Sequence, residues 1–230
     1  MSGGIVLIVG AGSGLSASLA RAFTREGLRC VLAARRTDKL KALCNDIAAT
    51  AIACDSKEPE QVNALFTQID ALCDAPAVVV YNASGRVRGP ITELDPKLVA
   101  DAIAVSAYGG FLVGQAAAKR MLKKGAGTIL FTGASASVKG FAQSASFAMG
   151  KFALRGLAQS MARELAPQNI HVAHVVIDGG ITSAQRPQPA DKPDNFLEPD
   201  AIAQTYVALM KQSRSAWTWE IEIRPWAERF

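Results

Sequence analysis

Residues 5–35, IVLIVGAGSGLSASLARAFTREGLRCVLAAR, constrain the fold more than any other stretch of the chain. Ile5 to Val9 is an unbroken apolar run, the pattern of a strand buried on both faces of a parallel sheet. Gly10, Gly12 and Gly14 follow at once, a helix Leu15–Glu26 leaves that turn, and a second strand is expected at 29–34. Glycine there permits positive φ and lets a ligand approach the backbone with no Cβ in the way. The free N–H groups at the helix start, with the positive end of its dipole, suit a phosphate. The bland alternative is a tight turn that binds nothing. Its place inside a first βαβ unit favours nucleotide binding.

Strand-like segments recur near 50–54, 77–81, 127–132, 170–177 and 217–223, and helical patterns fill 37–48, 58–72, 95–123, 146–166 and 199–212. This alternation predicts an α/β fold: one Rossmann-type, doubly wound parallel sheet of about seven strands, with helices on both faces. No linker divides the 230 residues, so they are read as a single dinucleotide-binding domain. The formal charge of +5 comes without a basic block interleaved with aromatics, which argues against a nucleic-acid surface. No charged-then-apolar leader and no run of eighteen apolar residues is evident, so neither export nor a membrane span is expected. Cys30, Cys44, Cys54 and Cys73 have no CxxC spacing and read as reduced thiols of a cytoplasmic protein. His171 and His174 share a predicted strand at odd spacing, which puts their side chains on opposite faces and makes them no metal pair.

In the general dinucleotide fingerprint an acidic residue ends the second strand to accept the ribose hydroxyls of NAD, whereas an arginine accommodates the 2′-phosphate of NADP. Here the strand ends Ala33-Ala34-Arg35-Arg36. No carboxylate is present at 34, and the Arg35 guanidinium matches phosphate oxygens, so NADP(H) is expected over NAD(H). A solvated arginine pair is the bland alternative.

The third glycine of that fingerprint would fall at Leu15; the spacing of Gly10 and Gly14 instead resembles the Gly-x-x-x-Gly-x-Gly turn of the short-chain dehydrogenases/reductases, with Ser16 in the last glycine's place. Further motifs in the same order extend this resemblance over essentially the whole chain. Asp55, ending the third strand, matches the family's aspartate beside the adenine. Asn82-Ala83-Ser84-Gly85 resembles its Asn-Ala-Gly turn, and Asp178-Gly179-Gly180-Ile181-Thr182-Ser183 its Pro-Gly-x-Ile-x-Thr segment, with aspartate for proline. Lys151 stands where the family has the lysine of Tyr-x-x-x-Lys. The resemblance implies cofactor contacts at Gly10, Gly12, Ser13, Gly14, Leu15, Arg35, Asp55, Ser56, Asn82, Ala83, Ser84, Lys151, Gly179 and Ile181.

The catalytic residues depart from the pattern. Phe147 occupies the tyrosine position, Ala134 the serine position with Ser135 next to it, and Ser106 the asparagine position. Loss of a positioned acid costs about 10² to 10⁴ in rate. Candidate replacement donors are Ser135, Ser144, Ser146, Tyr108 or a water beside Lys151, and catalysis is therefore assigned to Lys151, Phe147's position, Ser135 and Ser106. The expected function is an NADP(H)-dependent oxidoreductase acting on a small carbonyl or alcohol, with Phe147, Phe196 and Leu197 suggesting an apolar pocket. A substrate that needs no protein acid, such as an activated alkene or imine, is a variant of that reading. The alternative is an NADP(H)-binding sensor or oligomer partner with little turnover. The proline-rich stretch Ser183–Pro199 follows a sheet strand and reads as a lid over the site, with a stiff connection as the alternative. Helices 95–123 and 146–166 carry apolar residues on more than one face, which predicts a homodimer or homotetramer, as the resemblance also implies.

Overall fold

The computed structural model describes residues 3–227. Seven strands, all parallel, form one sheet in the order β3-β2-β1-β4-β5-β6-β7. They are β1 Ile5–Val9, β2 Arg29–Ala34, β3 Thr50–Ala53, β4 Val78–Tyr81, β5 Gly127–Thr132, β6 Ile170–Ile177 and β7 Glu220–Ile223. The helices are α1 Leu15–Arg25, α2 Lys41–Ile47, α3 Pro59–Asp70, α4 Pro96–Ile103, α5 Gly109–Lys124, α6 Ala145–Leu165 and α7 Pro199–Lys211. Two cores result, one between the sheet and α3, α5 and α6, the other between the sheet and α1, α2 and α7. β1 and β4 are buried along their whole length, as continuous apolar runs require.

Chain order reverses at β1, which pairs with β2 on one side and β4 on the other. Ligands of open α/β sheets bind outside the carboxyl ends of strands at such a switch point. The loops after β1, β2, β4, β5 and β6 all converge there.

Several predicted boundaries shift for identifiable reasons. The long helix expected at 95–123 runs from Pro96 to Lys124 but carries a π-helical turn at Ala104–Tyr108. The buried Tyr81 hydroxyl reaches into that turn and donates to the Val105 carbonyl, while also bonding Ser56. A long apolar side chain pattern cannot reveal a carbonyl diverted in this way. By length and composition this helix could cross a membrane. It serves here as the crossover between β4 and β5, with Val113, Ala117 and Met121 in the sheet core. The last strand begins at Glu220, not 217, because Trp217 stacks on His171 at 4.8 Å and donates to the Gln212 carbonyl. β3 ends at Ala53, so Asp55 lies in the loop beyond it. All four cysteines are free thiols; burial pushes Cys54 up to about 11.

Candidate functional site

The turn after β1 is held by the chain's own packing at one glycine and left open at two. Gly10 has φ +86°, and a Cβ there would fall on the backbone nitrogen of Ala83. At Gly12 and Gly14 a Cβ would meet no protein atom within 4 Å. Packing therefore does not demand glycine at those two positions, whereas a ligand approaching the backbone would. Gly14 opens α1, whose first turn has neither a capping side chain nor an acidic residue. Its N–H groups are available to a phosphate. These features fit a dinucleotide.

Ser16, in the third glycine's place, has its own task. Its hydroxyl donates to the Gly10 carbonyl at 3.0 Å and accepts from the Asn82 amide at 2.8 Å, tying the loops after β1 and β4 together. A cavity of about 280 Å³ beside them is lined by Gly10, Arg35, Asp55, Ser56, Asn82, Ala83 and Ser84. A neighbouring one of about 570 Å³ is lined by Gly12, Ser13, Ala34, Arg35, Arg36 and Lys39. Lys39, four residues after Arg35 in the short 3-10 turn Asp38–Leu40, adds a third cation.

The main cavity, about 650 Å³, lies over the ends of β5 and β6. Leu15, Asn82 and Ser84 connect it to the cofactor side; Ala134, Ser135, Phe147, Lys151, Gly179 and Ile181 line it. Lys151 is 3 % exposed and donates to the Thr132 carbonyl at 2.6 Å. Burial without a carboxylate partner pulls its pKa down to about 8. Its ammonium lies 5.9 Å from the centre of the Phe147 ring.

Ser135 is held from below. Asp178, buried at the end of β6, accepts from the Ser135 hydroxyl and lies 3.4 Å from both Lys139 and Arg224. Burial alone would raise this carboxyl, but Ser135 and the two cations together bring it below the usual range. The aspartate that replaces the expected proline is thus a buried anchor.

Three of the candidate donors are directed elsewhere. The Ser106 hydroxyl is fully buried and bonded to the backbone N–H of Gly85 at 2.9 Å, outside the cavity lining. Ser146 is likewise consumed by the backbone of Val87 at 3.0 Å. Tyr108 is on the outer face of the α4–α5 helix, stacked on Phe111. Ser144 does line the cavity, where it accepts from Arg86.

Phe196 and Leu197, expected in an apolar pocket, instead pin the loop after β6. The Phe196 ring packs on Gly180, and the Leu197 N–H donates to the Gly180 carbonyl at 2.8 Å. Gln188 clamps the same loop through the Phe196 backbone and Glu198. The substrate end is also far from purely apolar: Arg86, Arg88 and Arg186 join Phe141 and Phe147. His171 and His174 do face opposite sides, one against Trp217 and the other against Ser137 and Glu220.

The family model for short chain dehydrogenases matches residues 4–193. The chain belongs to the short chain dehydrogenase family. A short-chain dehydrogenase from Rhodopseudomonas palustris superposes with a TM-score of 0.83 at 36 % identity, covering 96 % of this chain and 98 % of that one. A metagenomic short-chain oxidoreductase solved in complex with NADP has a TM-score of 0.86 at 28 % identity, covering 98 % of each chain. A dehydrogenase/reductase family protein 7-like protein of Drosophila melanogaster is 29 % identical over 184 residues, 76 % of this chain and 56 % of that protein. The seven-stranded Rossmann-type sheet is that family's fold, and a nicotinamide cofactor fits it.

Proposed function

We propose that this protein is an NADP(H)-dependent oxidoreductase that reduces a carbonyl compound, with Lys151 in the role of proton donor. The observation that carries this reading is the buried Lys151 ammonium in the cavity wall, its pKa drawn down to about 8, beside a phenylalanine that has no proton to give. NADPH, when bound, supplies the hydride. The carbonyl carbon receives it, and the oxygen must take one proton for each alcohol formed. An ammonium has three donors, and Thr132 uses one. The other two would serve a ribose hydroxyl of the cofactor and the reacting oxygen, directly or through one water. Ser135, fixed by Asp178, is a second hydrogen-bond donor on the same wall.

A second reading, a cofactor binder with little turnover, is favoured by Phe147 and Ala134. Mixing the protein with NADPH and a panel of carbonyls, quinones, imines and activated alkenes separates the two by loss of reduced-cofactor absorbance. The enzyme reading expects turnover with at least one class. Tight NADPH binding with no turnover across the panel would overturn it.

For the cofactor we propose NADP(H) over NAD(H). Arg35, Arg36 and Lys39 gather around one cavity with no carboxylate in its lining, and the related metagenomic enzyme solved with NADP supports the choice. One charge-assisted contact to the 2′-phosphate contributes ~1.5–3 kcal/mol, and each ~1.4 kcal/mol is tenfold in affinity. NADPH is expected to bind at least tenfold more tightly than NADH in a fluorescence titration, and Arg35→Ala to remove most of the difference. Equal affinities would sink the assignment.

We further propose a homodimer through α4–α6. Tyr108, Phe111, Met149 and Phe152 are exposed on these helices, and a groove of about 340 Å³ runs between Phe111, Leu122, Leu157 and Met161. Burying one such side chain contributes ~1.5–3 kcal/mol. Phe111→Arg is expected to shift sedimentation from dimer to monomer with circular dichroism unchanged. A monomeric wild type excludes the proposal. We also propose a cytoplasmic location, on the four free thiols without CxxC spacing.

A further inference from the structure

Three guanidiniums meet at the substrate end of the main cavity. Arg86 and Arg88 come from the loop after β4, and Arg186 from the loop after β6. No residue lining the cavity is acidic, and none of the three arginines has an ion pair among the described residues. Nearby cations are treated differently: Arg155 grips both oxygens of Glu220 at 2.6 Å, and Lys139 and Arg224 share Asp178.

Arg86 is the fixed member of the group. It donates to the Ser144 hydroxyl at 3.1 Å, and its guanidinium lies 4.6 Å from the centre of the Phe147 ring. Burial, then the like charges of Arg88 and Arg186, pull its pKa down. The three residues are solvent-exposed and have no carboxylate beside them, so an anion entering the cavity meets like-charged guanidiniums, one of them fixed in place. The cofactor's phosphates have other partners, because the turn at Gly12 and the Arg35 cluster line a separate cavity.

We propose that the substrate carries an oxyanion, a carboxylate or a phosphate, close to its reducible carbonyl, and that Arg86, Arg88 and Arg186 bind it. This rests on the reading of the cavity as the reductase site. Guanidinium forks match both oxyanions bidentately. Arg86 and Lys151 lie 4.6 and 5.9 Å from the same ring centre, so a compact keto acid or keto phosphate reaches anchor and proton donor together.

The test measures equilibrium binding to the full chain, with and without saturating NADP+, which cannot reduce the probes, of benzoylformate, phenyl phosphate and uncharged methyl benzoylformate. At least one anionic probe is expected to bind tenfold or more tightly than the methyl ester, with an advantage that shrinks as salt is raised. Preference for benzoylformate names a carboxylate, and preference for phenyl phosphate names a phosphate. Arg86→Ala and Arg186→Ala, each made separately, are expected to remove most of that advantage and to leave NADPH affinity within twofold. Equal binding of charged and neutral probes, no binding of any of them, or full anion binding in both variants overturns the inference. A failure of NADPH itself to bind strikes the proposed function, and the arm without cofactor still decides the anion site.

Discussion

Lys151→Ala is expected to lower NADPH-dependent turnover by about 10²–10⁴, the usual contribution of a positioned general acid. Phe147 has no proton, Ser106 and Ser146 are committed to backbone groups, and Tyr108 is on the outer surface. Lys151 is the ionisable group left in the cavity wall with a proton to give near neutral pH. Its charged form is present below pH 8 and is lost as pH rises through that value, so reduction at saturating NADPH should fall about tenfold per pH unit above 8. Lys151→Arg separates charge from proton transfer: it keeps the cation but titrates far too high to act as an acid, so cofactor affinity should survive better than kcat. Phe147→Tyr places a phenol one helical turn before Lys151, and a rise of about tenfold on simple ketones is expected. Full turnover in Lys151→Ala, or a rate that stays flat to pH 10, would exclude this donor.

How much of this was legible in the chain differs between cofactor and substrate ends. The β1–turn–α1 unit is local: an apolar run, a glycine turn and an amphipathic helix follow one another within 31 residues, and the structure keeps that order. Arg35 directly follows a strand whose buried run was equally visible, so its place beside the Gly12 turn could be reasoned from the βαβ unit alone. The substrate end was not legible, because Arg86 and Arg186 stand 100 positions apart and meet only through two loops at the sheet's carboxyl edge. Ser106 shows a further limit. Its position in the family pattern suggested chemistry, yet the π-turn rotates its hydroxyl onto Gly85. The last strand misled for a simpler reason: Trp217 and Trp219 alternate with polar residues as a strand would, but the stack of Trp217 on His171 takes the first of them out of the ladder.

Acidification from pH 6.5 to 4 is expected to cost the fold ~3 kcal/mol through His174 alone, at about 1.4 kcal/mol per unit of pKa difference. The ring is fully buried, and burial, only partly offset by Glu220, draws its pKa to about 4. The folded state therefore binds this proton later than the unfolded chain, whose histidine titrates near 6.5. Stability is at its full value above that pH and is lost as pH falls toward 4. The neutral ring donates from Nδ1 to Glu220 at 3.0 Å and accepts at Nε2 from Ser137, whose oxygen in turn holds the Ala134 N–H at 3.1 Å. Charging the ring reverses the Ser137 link: Nε2–H then donates to the hydroxyl oxygen that also accepts from Ala134. His171, also drawn down by burial, adds a loss of the same sign on acidification, so removing His174 abolishes part of the loss. Glu220 is held low by Arg155 and His174 against its burial, and its contribution disappears only as pH falls below the ordinary carboxylate range. Urea unfolding at pH 7, 5.5 and 4.5 should therefore show a shallower decline for His174→Asn than for the wild type, even though the variant starts less stable at pH 7. Parallel declines in the two proteins would mean that His174 is not the group that titrates.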